Sequence, residues 1–393
     1  MRKHLALLFC LLAPAVSAHE GHDMHAGMAM PKGPDLGASA AIDAKGRLWL
    51  VDAADGHVRL RHSDDFGRTL SAPTPVNAES EPIYAEGENR PKIAFGSKGE
   101  LYVSWSQPRA KPWTGFVRFA RSIDDGAHFS PPITVHHDRA EITHRFDAMA
   151  VDGQGRIVMA WIDKRDLEAA TAKGKPYLGA AIYTSVSTDG GKTFSVERKL
   201  ADETCECCRI AMALTPQGEV AAFYRSIFGD NIRDHAYAVL HADGRPLEPQ
   251  RATFDDWHIA GCPHHGPGLA IDADGVRHAV WYEAKDKPAV RYGQLEPGKA
   301  PTHLQTMAGP GASHADIAVS GKQVWVVWNQ VGAQGAALML RESRDGGLHF
   351  DEARGIANTP GAAASPQLLL WQGRAFAAWN TAAGFRLVPT EAL

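Results

Sequence analysis

Ser187-Thr188-Asp189-Gly190-Gly191-Lys192-Thr193-Phe194 has the composition of a tight turn that closes a β-hairpin. In such a turn the Ser and Asp side chains bond the local backbone, glycine takes the left-handed conformation, and the last aromatic packs beneath. The pattern returns as Ser63-Asp64-Asp65-Phe66-Gly67-Arg68-Thr69-Leu70, as Ser122-Ile123-Asp124-Asp125-Gly126-Ala127-His128-Phe129 and as Ser343-Arg344-Asp345-Gly346-Gly347-Leu348-His349-Phe350. Outward from these turns the chain reads as short strands. An apolar strand, a Gly-containing turn and a second, aromatic-rich strand recur roughly every 50 residues, the mark of a repeat architecture. The second strands are Leu48-Trp49-Leu50-Val51, Leu101-Tyr102-Val103-Ser104-Trp105, Ile157-Val158-Met159-Ala160-Trp161, Val220-Ala221-Ala222-Phe223-Tyr224, His278-Ala279-Val280-Trp281-Tyr282, Val324-Trp325-Val326-Val327-Trp328 and Ala375-Phe376-Ala377-Ala378-Trp379, seven in all.

The chain is 393 residues long, more than one compact core of about 250–300 residues holds. Yet it shows no linker, no charge block and no long helical periodicity. The longest helix-like piece is 166–173, within a loop. A net charge of -4 gives no sign of nucleic-acid binding.

The four turn sequences resemble the Asp box, Ser-x-Asp-x-Gly-x-Thr-Trp/Phe, of the sialidase-like, BNR-repeat β-propellers. The resemblance runs through nearly all of 38–393. It implies an all-β fold, a β-propeller of four-stranded antiparallel blades. The strand repeat points to seven blades; six, as in the sialidases, is the runner-up. The boxes themselves read as structural. The unit 204–255 keeps a remnant, Ala242-Asp243-Gly244, and the units beginning near 263 and 365 lack a box. The last unit has no evident fourth strand, so 31–36 is expected to supply one and close the ring.

Antiparallel order decides which face each link reaches. Innermost strands start at the top, second strands return there, and Asp-box turns lie at the bottom. The top therefore receives Asn89-Arg90-Pro91, His144-Arg145-Phe146-Asp147, Cys207-Cys208-Arg209, Cys262-Pro263-His264-His265 and Ser313-His314-Ala315-Asp316. Second strands end there with Asp163-Lys164-Arg165, Tyr224-Arg225 and Tyr282-Glu283, and the loop 166–179 emerges beside them.

Three of the five cysteines fall in Cys205-Glu206-Cys207-Cys208, and Cys262 opens Cys262-Pro263-His264-His265 on the next unit. The fifth, Cys10, lies in a leader. Two disulfides are one reading, since an even count suits an oxidising compartment. Every pairing then places one bridge inside the triplet, where geometry is poor. Thiolate binding of a soft metal suits the crowding, with Cys205, Cys207, Cys208 and Cys262 as ligands and His264, His265 and His314 in support. A strained bridge would make the cluster a redox site.

At the start, Arg2, Lys3 and His4 precede an apolar run, and Val16-Ser17-Ala18 is a cleavage signal. Residues 1–18 read as a secretory signal peptide, the run being too short to span a bilayer. The mature chain is expected to be periplasmic or secreted, without a membrane anchor. Residues 19–37 form a tail rich in His19, His22, His25, Met24, Met28 and Met30. Imidazole with thioether points to copper above zinc. The metal is thus expected to be copper, captured by the tail and held at the mouth; nothing identifies a protein partner.

The sialidase resemblance also implies an alternative, an exo-sialidase-type glycoside hydrolase acting on acidic sugars. Arg90, Arg145 and Arg209 would hold the substrate carboxylate. Tyr282 (or Tyr224) would be the nucleophile, Glu283 its partner and Asp163 the acid, an exception to the two-carboxylate rule. The family's Phe/Tyr-Arg-Ile-Pro motif is absent; Asn89-Arg90-Pro91-Lys92-Ile93 only echoes it.

Overall fold

The computed structural model describes residues 36–245 and 247–391. The leader, the His/Met-rich stretch and most of 31–36 lie outside them. The described chain is a seven-bladed β-propeller, its blades spanning 39–75, 92–134, 144–204, 211–251, 268–308, 312–359 and 367–389. Each blade is an antiparallel sheet whose strands follow sequence order. Six have four strands, and the seventh has three among the described residues. The innermost strands touch from one blade to the next, and the last returns to the first. The one helix among the described residues, Arg165–Ala172, sits in the expected loop. None among the described residues is long and apolar enough to cross a membrane.

The second strands are the most buried. Trp105, Trp161, Trp281, Trp325, Trp328 and Trp379 are almost wholly inside. A buried indole contributes a large apolar area but leaves one N–H needing an acceptor. Trp161 finds Asp163 Oδ2 at 2.9 Å, Trp281 finds Asp255 Oδ2 at 2.7 Å and Trp379 finds Asn329 Oδ1 at 2.9 Å. Neighbouring blades interleave their faces, as where Trp49, Val51 and Leu60 of blade one meet Leu101, Val103 and Trp105 of blade two.

The Asp boxes act as turn clasps. In the third, Ser187 Oγ donates to Asp189 Oδ1 at 2.8 Å and accepts from Gly191 N at 2.9 Å, while Asp189 accepts from Thr193 N and Oγ1 at 3.0 and 2.6 Å. The other three repeat this geometry, with His128 and His349 replacing Thr as the last donor. Hydrogen bonds from Thr69 hold the Asp65 carboxyl down at about 2. The box Ser and Asp side chains spend their hydrogen bonds within the turn, so they are structural.

Of the expected closing segment 31–36 only Leu36 is among the described residues, and its carbonyl accepts from Asn380 Nδ2 at 3.0 Å. The described seam is an apolar face. Leu48 and Leu50 of blade one pack with Leu369, Ala378 and Leu387 of blade seven, and Phe66 stacks on Phe376 with ring centres 5.5 Å apart. Burying that surface holds the two blades together.

Candidate metal centre

The strand Arg198–Thr204 is the outer edge of blade three, and Ala211–Leu214 is the inner edge of blade four. The cysteine triplet is the link between them. Cys262 belongs to the corresponding link into blade five, ahead of Gly268–Ile271. The propeller therefore delivers both links to one end, side by side. Cys205 Sγ lies 3.6 Å from Cys207 Sγ and 3.5 Å from Cys208 Sγ. The sulfurs of Cys205, Cys207 and Cys262 all fall within 4.8 Å of one another. All four cysteines are unbridged thiols, since a disulfide needs about 2.05 Å. Phe146, Ile162 and Ala180 cover the triplet, which is buried, while Cys262 is half-exposed.

The link is held from outside. Lys164 Nζ pairs with Glu206, between the cysteines, at 2.8 Å. Tyr177, from the loop after the helix, donates to Asp202 at 2.9 Å. Cys205 N donates to Arg225 O at 3.1 Å. Such fixing matters because a metal site needs its ligands preplaced.

The cluster shares its protons as a unit. Hydrogen bonds from Cys207, Cys208 and Cys262 push the Cys205 pKa well below its usual value. Burial pushes Cys207 and Cys208 well up, and donation to Cys205 does the same for Cys262. One thiolate forms easily, and the three neighbours stabilise it as donors. Further deprotonation calls for a cation among the sulfurs. The charges around the cluster are mixed: the fields of Arg233, Arg145 and Arg225 fall on Cys205, Cys207 and Cys208 respectively, and the negative Glu206 acts on Cys262.

The histidines gather elsewhere at the mouth. His265 stacks on Tyr282 with centres 4.1 Å apart and lies 4.8 Å from the His314 ring. Burial and the nearby His314 push its pKa down to about 3, so its ring is neutral. His314 Nδ1 is 3.2 Å from Glu88 Oε1. His264 adopts a left-handed backbone, φ 56°. The described ligand group contains sulfurs but no imidazole.

Sequence reasoning missed Glu88. It is buried, accepts from Arg209 Nη1 at 2.9 Å and Arg209 N at 3.2 Å, and from Gly266 N at 2.7 Å. One carboxylate thus ties the loop before blade two to the links into blades four and five and to His314 on the inner strand of blade six. Gly266 is required there: a Cβ would come 2.3 Å from Arg209 Cγ and 2.6 Å from Glu88 Oε2. Nothing in Gly87-Glu88-Asn89 distinguishes this glutamate from a solvated one.

The residues of the hydrolase alternative occupy the same end but are engaged with protein groups. Arg209 is bound to Glu88, and Arg90 Nη1 donates to Ser365 O at 2.7 Å. Arg145 is boxed by Tyr84, Phe146 and Trp113 at 4.0, 5.3 and 5.5 Å. Asp163 accepts from Trp161 and Arg165, and Glu283 accepts from Arg291 Nε at 3.0 Å. Tyr224 packs in the core between blades three and four.

No protein-family model and no curated protein matches the chain. Solved propeller structures do. A polysaccharide lyase, an ulvan lyase, superposes with a TM-score of 0.56 at 11% identity, covering 91% of this chain and 92% of the lyase. An α-L-arabinanase of Penicillium chrysogenum gives 0.50 at 14% identity, covering 77% and 92%. A Hadza microbial sialidase gives 0.49 at 12%, covering 86% and 74%. At these identities the likeness is one of fold, and a propeller hosts unrelated chemistries.

Proposed function

We propose that this protein binds a soft metal ion, copper(I) being the best fit, at the sulfur cluster of Cys205, Cys207 and Cys262, with Cys208 alongside. The observation that carries the reading is the spacing of the sulfurs. Two sulfurs bonded to one ion at about 2.3 Å lie roughly 3.8–4.0 Å apart. The Cys205 and Cys207 sulfurs stand 3.6 Å apart, and with that of Cys262 all three lie within 4.8 Å of one another, much nearer to that spacing than to a disulfide. Thiolates select copper(I) and other soft ions over hard ones. The surrounding guanidinium groups favour thiolate over thiol.

The His/Met-rich stretch fits the same role. His19, His22, His25, Met24, Met28 and Met30 would capture copper ahead of the cluster, and the leader before them would send the chain to a periplasmic or extracellular space. Titration of the thiol-reduced full chain with copper(I) against a competing chelator tests both parts. One tight equivalent should vanish in the double variant Cys205→Ser/Cys207→Ser and persist when 19–30 is deleted, while total stoichiometry falls in the deletion. Absence of any tight equivalent in the reduced full chain would end the metal reading.

The saccharide-active neighbours leave a glycoside hydrolase as the second reading, and it shares the mouth. The metal reading is preferred because the sulfurs converge while the arginines and carboxylates of the hydrolase set are engaged by other protein groups: Arg209 by Glu88, Arg90 by Ser365 O, Asp163 by Arg165 and Glu283 by Arg291.

A further inference from the structure

The sulfur triangle is made by Cys205, Cys207 and Cys262. Cys208 is not one of its corners, yet its Sγ stands 3.5 Å from that of Cys205. Cys205 and Cys208 are the ends of a Cys-x-x-Cys run, a spacing used by redox-active dithiols. The chain bends through 206–208, and the bend folds Cys208 back onto Cys205. Both residues are buried. An oxidised sulfur at Cys205 therefore has to find its partner inside the protein.

A copper(I) site in an oxidising compartment needs a source of electrons, because copper arrives there as copper(II). Thiols supply them, but copper(II) accepts one electron at a time. A single thiol that gives one electron is left as a sulfur radical. A second sulfur within reach joins to it, and the second electron passes to a second copper(II). Two sulfurs are within reach of Cys205. Cys207 lies at 3.6 Å, but one residue separates it from Cys205, and so short a loop reaches disulfide geometry poorly. A bridge to Cys207 would also remove two corners of the triangle. A bridge to Cys208 removes one and leaves Cys207 and Cys262 for the ion.

We propose that Cys205 and Cys208 are a dithiol that reduces copper(II) to the copper(I) the cluster holds. The inference rests on the metal reading and on the compartment proposed with it. In the balanced step two thiols and two copper(II) ions give one Cys205–Cys208 disulfide, two copper(I) ions and two protons. Both S–H bonds break and one S–S bond forms. Each sulfur loses one electron and each ion gains one. Cys207 and Cys262 then hold one copper(I) as thiolates, soft ligands for a soft ion, and the other copper(I) is released. Cys262, half-exposed at the edge of the buried triplet, gives copper its way in.

The test adds copper(II) sulfate under nitrogen to the reduced, metal-free full chain. Loss of the copper(II) electron paramagnetic resonance signal counts the ions reduced. Alkylation after removal of copper by a chelator, followed by peptide mass spectrometry, locates the bridge. Wild type should reduce about two ions per chain and carry the Cys205–Cys208 disulfide, with Cys207 and Cys262 alkylated. Cys208→Ser should slow the reduction by at least about tenfold while still binding copper(I) supplied as such; Cys208→Ala serves if the Ser variant does not fold. A bridge between any other pair, reduction by Cys208→Ser as fast as by wild type, or copper(II) left unreduced by wild type overturns the inference. The metal reading stands in those cases, because it is read from binding of copper(I) supplied directly. Wild type that binds no copper(I) overturns both.

Discussion

Glu88 and Arg209, 121 positions apart in the chain, meet in a buried ion pair with 2.9 Å between Oε1 and Nη1. Burial raises the pKa of Glu88, but Arg209 and the hydrogen bond with His314 outweigh it, and the carboxyl is held well below the usual range. A carboxyl depressed in the folded state contributes stability above its unfolded value, here near 4.5, and loses it as pH falls below that value. Glu88→Gln leaves buried Arg209 with only the more distant carboxylate of Asp316, at 3.9 Å, and should cost about 3 kcal/mol at pH 7. Urea unfolding of wild type and variant at pH 7 and at pH 3.5 checks this. The difference should shrink at the lower pH; a gap independent of pH would mean that packing, not charge, is the source.

The Asp-box turns predict a contrast between adjacent glycines. Gly190 and Gly191 both have left-handed backbones, φ 70° and 81°. A Cβ on Gly190 would meet only the ends of Arg121 and Tyr102, at 3.6 and 3.8 Å, whereas one on Gly191 would come within 2.5 Å of the Phe119 ring. Gly190→Ala should cost about 1 kcal/mol, the price of the left-handed residue. Gly191→Ala should cost about 2–4 kcal/mol, because the ring is rigid and buried. Equal losses in thermal unfolding would show that the backbone conformation alone decides.

What was legible in the sequence is what depends on neighbours in the chain. Ser187, Asp189 and Thr193 bond one another within a single turn, so the motif announces itself. The second strands repeat because each blade must bury its aromatic residue in the same way. Strand alternation then carries Cys205 and Cys262 to one end, although 57 positions separate them. Glu88 was not legible, because its partners come from three other links and its own loop looks solvated. The apolar seam was not legible for a similar reason: Leu48 and Leu369 belong to opposite ends of the chain, and their packing cannot be seen from either end alone.

For the hydrolase alternative the expected outcome is no turnover of a fluorogenic sialoside. Glu283 is 4% exposed and spends its oxygens on Arg291 and on Lys285 N. Arg90, Arg145 and Arg209 would have to release protein partners to bind a carboxylate. Glu283→Gln should instead lower thermal stability, since Arg291 loses its ion pair at 2.8 Å. Robust hydrolysis by wild type that disappears in Glu283→Gln, with the fold intact by circular dichroism, would replace the metal reading with the enzyme.

Cys207 and Cys208 should differ, and the difference locates the ion. Cys207 shares its sulfur triangle with Cys205 and Cys262, while Cys208 touches Cys205 from 3.5 Å. Cys207→Ser removes one of three converging ligands and should weaken copper(I) binding by at least about a hundredfold, the loss of one soft ligand bond. Cys208→Ser removes a hydrogen bond to Cys205 and should weaken it by no more than about tenfold. Cys207 is held protonated by burial, so the ion must displace its proton. Affinity should therefore fall as pH is lowered, with more than one proton released per ion in wild type. Chelator competition at pH 6, 7 and 8 measures both effects. If Cys208→Ser is the more damaging change, the ion sits on the other side of Cys205. If affinity does not change with pH, the thiols are not its ligands.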